Sequence, residues 1–247
     1  MSTMIKIESQ IKEKYKNQYS DESDFWRELG AKGKAENIID VTKSRSYDNI
    51  VDIGAGDGSI LSFLSGKNFS KYATAVEISE SAIEQIKKRN ISNLKEIIEF
   101  DGYSVPLKNK AFDLAVCSHV LEHVEHPRIL LREIKRISEF QVFEVPIDFS
   151  LKVDKKADHF LSYGHINIYN PALFRFLLKT EGFEILNDKC SFYDAAVLKY
   201  LYKDKPKEYL LIHLKKMIWI CIPFLMKTKP NTYTILTKDS GKKINIF

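Results

Sequence analysis

Cysteine is scarce in this chain: Cys117, Cys190 and Cys221 are all there is, widely spaced and odd in number. That usage argues against a disulfide framework or a zinc ribbon and points to a reducing compartment. A secretory leader is not expected either. The opening residues, MSTMIKIESQIKEKYK, are polar and amphipathic, with no apolar core ahead of a small-residue cleavage site, so the expected location is cytoplasmic. Membrane-spanning runs are lacking too. The ten apolar residues from Met217 to Met226, bracketed by lysines and interrupted at Pro223, are too few to cross a bilayer. Arginine is absent from residues 194–247, where eleven lysines stand against four acids. This tail therefore carries +7, and with +5 overall the remainder carries −2. Lysine clusters without arginine or interleaved aromatics argue against nucleic-acid recognition.

What the sequence does have is alternation. At 247 residues, 44% hydrophobic and 29% charged, the chain suits one soluble core with decorations. Helices are expected over 5–18 and 22–44, the second turning Phe25, Leu29, Ile38 and Ile39 toward a core. Short runs rich in Val, Ile and Phe at 50–53, 72–78, 97–100, 112–117 and 140–145 predict strands. Between them lie helix signals at 59–64, at 79–88 with Ser81 and Glu84 at capping-box spacing, and at 127–137 with Leu130, Ile134 and Ile137 on one face. Another helix is expected from Pro171 to Gly182, burying Leu173, Phe176 and Leu177. Strands over 183–193 and 232–237 bring the total to seven. Near-continuous apolar strands alternating with helices imply an α/β fold, a doubly wound and mostly parallel sheet covered on both faces. The expected organisation is N-terminal helices over 1–46, a ligand-binding core over 47–193, a basic apolar helical insertion over 194–230, and the last strand and tail over 231–247.

In a sheet of this kind ligands sit at the carboxyl ends of the strands. There the run IVDIGAGDGSILSFL spaces three glycines where the first strand gives way to a helix. Gly54, Gly56 and Gly58 let the backbone turn sharply and approach a ligand, while the helix from Ser59 aims its amides at the same place. A dinucleotide fingerprint needs its third glycine at position 59, where this chain has Ser59 and carries the glycine one residue early. Asp52 and Asp57 add negative charge, which repels a pyrophosphate and attracts a cation. Glu77 ends the second strand and is placed to accept both hydroxyls of a ribose. Asp101-Gly102 closes the third, where an acid can accept from an exocyclic adenine amine.

VDIGAGDG, AVEIS, FDGYSVPL and FDLAVCSHVLEHVEHP, in this order and spacing, resemble the class I S-adenosylmethionine-dependent methyltransferases. Within them the likeness is to the type 11-like group, whose fourth strand runs into a Leu-Glu-His-Val helix; it covers roughly residues 23–190. It implies a Rossmann-like seven-stranded core with an N-terminal helical lid and a helical insertion before the last strand. The implied cofactor is S-adenosylmethionine, leaving as S-adenosylhomocysteine. Asp52, Gly54, Ala55, Gly56 and Asp57 would surround its methionine moiety, Glu77 its ribose and Ile78 its adenine face. Asp101 and Gly102 would flank the adenine edge, with Ser118 and His119 closing the site behind the sulfonium.

His119 is the candidate general base or acceptor-orienting group, since its ordinary pKa suits proton transfer near neutrality. His165, in ADHFLSYGHINIYNP, is the second candidate, on a loop that could fold over the site with Tyr163 and Tyr169. Trp26 and Arg27 are further candidates for acceptor contact. His119-x-x-Glu122-His123 also matches an inverted zinc-protease motif, but it follows a buried strand rather than lying inside a long helix. Relatives that methylate small-RNA and quinone-pathway hydroxyls carry Glu-x-x-Glu-His here and bind a metal, with His165 a possible fourth ligand in this chain. His119 stands where they have Glu, and no metal ligand is assigned. The expectation is a methyltransferase acting on a small molecule or carrier-linked metabolite, at a hydroxyl, as monomer or homodimer. Its rivals are a non-catalytic module that binds the cofactor or its product, the metal-assisted enzyme, and a dinucleotide oxidoreductase. For the Met217–Met226 run, core packing ranks first, then a cap over the acceptor, a dimer contact and a membrane contact.

Overall fold

A computed structural model describes residues 24–150, 153–221 and 230–242, apart from the side chains of 24–26, 219 and 220. The expected helix over 5–18, the side chains of Phe25 and Trp26, and the end of the apolar run after Cys221 lie outside the described residues. Helix α1 (Asp24–Thr42) leads into strand β1 (Tyr47–Ile53), and three helices alternate with the next four strands: α2 (Ser59–Gly66), β2 (Ser70–Glu77), α3 (Glu80–Lys88), β3 (Leu94–Glu99), β4 (Phe112–Ser118), α4 (Pro127–Ile137) and β5 (Ser138–Pro146). Then come α5 (Ala157–Ser162), α6 (Pro171–Thr180) and β6 (Phe183–Ser191). Helices α7 (Ala195–Leu201) and α8 (Pro206–Cys221) occupy the stretch expected as an insertion, before β7 (Thr232–Asp239).

The seven strands lie in the order β3-β2-β1-β4-β5-β7-β6. β1 to β5 pair in parallel, and β7 runs antiparallel to both neighbours. The side-chain period of two sorts each strand between two cores. Val51, Ile53, Ala115, Cys117, Phe143 and Val145 face one side, where α4 and α6 pack, while Ile50, Leu114, Val116 and Val142 face the other with α1, α2 and α3. Both faces are covered at the centre of the sheet, so β4 and β5 are buried along most of their length, whereas the edge strands β3 and β6 carry exposed charged residues. None of the three cysteines is joined in a disulfide.

Two expected details differ. Helix α6 buries Phe174 and Leu178, whereas Leu173 and Phe176 stand 52% and 64% exposed. The residues in question are apolar at three- and four-residue spacing on more than one face, and the aromatic pocket of Tyr169, Phe143 and Tyr233 selects Phe174. The α3 cap is Ser79, whose hydroxyl accepts from the Ala82 amide, so the helix starts two residues ahead of the Ser81–Glu84 pair.

Candidate active site

The sharp turn after β1 is built on left-handed backbone. Gly54, Gly56 and Gly58 have φ of 72°, 57° and 77°, a region that L side chains rarely adopt. Gly54 is also hemmed in, since a Cβ there would sit 2.5 Å from Val120 Cγ2. The turn is hung on β2: the Gly54 and Ala55 amides both donate to the Val76 carbonyl. Glu77, 4% exposed at the tip of β2, accepts from the Gly56 amide at 2.7 Å with one oxygen and from the Ile78 and Ser79 amides with the other. One carboxylate thus joins the glycine turn to the start of α3. Burial pushes its pKa up, and those three amides pull it back.

Asp52 lies on the same crevice, 1% exposed, with one carboxylate oxygen lacking any hydrogen-bond partner. Burial, then the nearby Glu77 charge, pushes its pKa up from 3.8 to about 7, with Lys34 opposing. Asp57, by contrast, is spent within the protein. It accepts from the Ser59 amide and hydroxyl, and it pairs with Arg89 at 2.7 Å and Arg27 at 3.4 Å. The acidic character expected of the turn therefore rests on Asp52, because Asp57 is already neutralised; Arg27 faces Asp57 rather than an acceptor. At the end of β3, one oxygen of Asp101 holds the Tyr103 and Ser104 amides across Gly102 (φ 95°). Ile78 packs at the rim of the core.

The second half of the site grows from β4 and β5. After Ser118 the chain turns through His119, whose φ of 57° is rare for a residue with a side chain. Its ring lies between two fully buried carboxylates: Nδ1 is 3.3 Å from Glu122 and Nε2 is 3.4 Å from Glu144. Burial and Lys34 oppose charge on His119, but the two acids outweigh them and raise its pKa. An imidazolium clasped this way has no lone pair to offer, which counts against the role of base expected for it. Glu144 reaches the α1 side because it follows Val142 by two residues. There it accepts from Asn37 and Thr234, and from Ser118 at 3.3 Å. α1 is a fixed wall of the site over its described residues, with Ala31, Ala35, Ile38 and Val41 buried.

His165 arrives from the loop after α5, which is laced onto the Leu121–His123 turn: the Ile166 and Asn167 amides donate to the Glu122 carbonyl, and the Asn167 side chain donates to Leu121 and Val124. Tyr169 is buried in the core beneath, while Tyr163 is 60% exposed rather than folded over the site. The His123 and His165 rings meet edge to face, 4.9 Å apart. His123 Nδ1 lies 3.0 Å from the Gly164 carbonyl and His165 Nδ1 lies 2.7 Å from Asp148. Both partners can only accept, so each Nδ1 carries a proton, and in the neutral form of either ring the lone pair lies on Nε2. Burial draws His123 below the ordinary histidine range, although Glu122 opposes it.

A cavity of about 470 Å³ opens among α1, β6 and α7, lined by Gly33, Lys34, Asn37, Glu144, Tyr193 and Val197, and Glu144 joins it to the His119 ring. Asp148, Glu144, Lys34 and Asn37 were not singled out by the sequence. Glu144 had a signal, a charged residue inside the buried strand VFEVP; Lys34 and Asn37 had none, since helix positions facing a site look like any solvated position.

Residues 51–139 match a family model described as a methyltransferase domain. The Bacillus subtilis (strain 168) protein YrhH, named a candidate methyltransferase, is 26% identical over 140 residues, spanning 53% of this chain and 78% of its own. Over residues 51–139, which hold the glycine turn, Glu77 and His119, this chain is similar to the S-adenosylmethionine-dependent methyltransferases. Among solved structures, the [4+2]-cyclase SpnF superposes with a TM-score of 0.61 at 15% identity, over 84% of this chain and 81% of its own. DhpI, solved with S-adenosylhomocysteine, gives 0.59 at 12% identity over 94% and 96%.

The glycine-turn crevice fits S-adenosylmethionine. Asp52 keeps an orphaned buried oxygen suited to a cationic group, and the glycine turn leaves backbone room beside it. When bound, S-adenosylmethionine supplies an electrophilic methyl group on a positive sulfur. Because folded Asp52 holds its proton to about pH 7 while the unfolded chain releases it near 4, the unliganded protein should lose stability as pH rises through that interval. A cationic ligand selects the carboxylate. S-adenosylmethionine binding at pH 6 should therefore release about one proton, and affinity should climb toward pH 7 and then level off. Calorimetry in buffers of different ionisation enthalpy measures this, and Asp52→Asn should abolish it. Glu77→Ala should weaken cofactor binding by about 1.5 to 3 kcal/mol, because the turn loses its tie to β2 together with an acceptor; isothermal titration reads it directly.

Proposed function

We propose that this chain transfers the methyl group of S-adenosylmethionine to a hydroxyl of a small molecule or carrier-linked metabolite held beside Glu144 and Lys34. A cavity of about 470 Å³ suits an acceptor of that size. The observation that carries the oxygen preference is the Asp148–His165 pair. An acid fixing Nδ1–H leaves Nε2 as a proton acceptor, and a hydroxyl, unlike a thioether or a free amine, needs its proton removed as the new bond forms. The chain's other contributions are to position the acceptor, keep the site dry and leave the in-line approach open. Asp52, Gly54, Ala55 and Gly56 hold the methionine end in this reading, Glu77 and Ile78 the ribose and adenine, and Asp101 and Gly102 the adenine edge.

A second reading has its own observation. One ligand atom each from Glu122, His123 and His165 lies within 4.8 Å of the others, Glu122 is fully buried, and an acceptor on each Nδ1 leaves Nε2 as the nitrogen that a neutral ring would offer to an ion. Two histidines and one carboxylate with outer partners on each Nδ1 form a divalent-cation site in which acceptor oxygens could complete the shell. The readings separate cleanly. A panel of hydroxyl and amine acceptors, assayed by S-adenosylhomocysteine release, should find a hydroxyl substrate. Activity that survives EDTA assigns His165 as base, and activity restored only by a divalent cation assigns the trio as ligands. No product with any acceptor would instead favour the non-catalytic binding module, a use of the fold that the cyclase SpnF shows need not be methyl transfer.

A further inference from the structure

Helix α8 is mounted with its apolar side outward. Leu210, Leu211, Leu214, Met217 and Ile218, spaced i, i+1, i+4, i+7 and i+8, form one stripe and are between 51% and 62% exposed. The opposite side carries Tyr209, His213 and Lys216 with Ile212, all half-buried. The Tyr209 and His213 rings meet edge to face at 4.5 Å, and Lys216 donates to the Tyr193 carbonyl at 2.8 Å. A helix that merely covered this protein in water would roll over, burying its leucines and exposing its lysine and histidine. Five large side chains held outward are more than the scattered exposure of an ordinary surface.

Charge decides what covers them. Glu208 is the one acid on α8, and Lys205 lies 4.0 Å from it. From Tyr209 to Cys221 α8 has no Asp or Glu and carries Lys215 outside, with Lys216 turned inward. Lys207 and Lys215 are exposed on or beside the stripe. A second copy of the chain would set these lysines against themselves across a twofold axis, which opposes association. An anionic lipid surface meets both features at once, taking the leucine stripe at the acyl boundary and the lysines at the headgroups. At 16 residues α8 can lie in that interface, and among the described residues no helix is long and apolar enough to cross a membrane. We infer that α8 is an interfacial anchor which docks this protein on anionic membranes through Leu210, Leu211, Leu214, Met217 and Ile218, with lysines at the rim.

The test is sedimentation of the full chain with vesicles of phosphatidylcholine alone or mixed with phosphatidylglycerol. Binding is expected to the mixed vesicles and to fall steeply with added salt, because the lysine contribution is screened. Leu211→Glu/Leu214→Glu/Ile218→Glu should weaken partitioning by about tenfold or more while leaving circular dichroism and S-adenosylmethionine affinity unchanged, since all three side chains point away from the core. Failure to bind mixed vesicles overturns the proposal, as does equal binding by the triple variant. So does a dimer in sedimentation velocity that the triple variant dissolves. None of these outcomes bears on methyl transfer, which the cofactor assays address separately.

Discussion

Gly54→Val should show no S-adenosylmethionine binding at concentrations about a hundredfold above the parent's dissociation constant, a loss of roughly 3 kcal/mol or more. Two causes add. The Cβ alone would come to 2.5 Å from Val120 Cγ2, and the backbone at φ 72° is strained for any residue with a Cβ. Each costs on the order of 1 to 3 kcal/mol. The turn escapes both by moving, and what moves is the run of amides that Glu77 and the Val76 carbonyl hold in place. Calorimetry gives the affinity, with circular dichroism to confirm folding. Because the clash has a named partner, Gly54→Ala/Val120→Ala should bind better than Gly54→Ala. Parent-like affinity in Gly54→Val would remove the crevice from consideration.

With a hydroxyl acceptor, His165→Ala should lower kcat by about a hundred- to a thousandfold while cofactor affinity stays within about twofold. Asp148→Asn should follow it in part, since the amide loses the carboxylate's charge and can donate its NH2 to Nδ1, which favours the tautomer whose lone pair faces the wrong way. The pH profile distinguishes a base from a wall. Removing a base erases the acidic limb of kcat, whereas removing a packing residue scales the whole curve. A His165→Ala enzyme with parent turnover would return the role to His119, against the pull of Glu122 and Glu144 on its proton.

The sheet was legible because its signals are local and repeated. Each of the seven expected strands coincides with an observed one, since buried parallel strands read as short Val- and Ile-rich runs whatever packs on them. Helix faces were less legible. Leu173 and Phe176 fit the helical period as well as Phe174 and Leu178, and only the partners across the sheet choose between them. In the site, the residues read from motifs gather at the strand ends, with Asp52, Gly54 and Glu77 around one crevice and Ser118, His119 and His165 around the next. What pairwise contact decides was out of reach: that Asp57 is claimed by Arg89, that His119 is held by two acids, and that Asp148 stands behind His165. Charges in a sequence are read singly, and a partner more than a hundred residues away, as Asn37 is for Glu144, leaves no local trace.

The place of β7 sets a schedule for synthesis. It is the last strand to leave the ribosome, yet it lies between β5 and β6 and is the sole neighbour of β6 in the sheet. Until it emerges, β5 presents an open edge and β6 has nothing to pair with, and the Glu144 carboxylate lacks the Thr234 hydroxyl. A nascent chain halted at Pro230 would already contain the glycine turn and the first five strands of the sheet but not the strand that joins β6 to them. The far edge of the sheet therefore waits on a segment made after every other strand described.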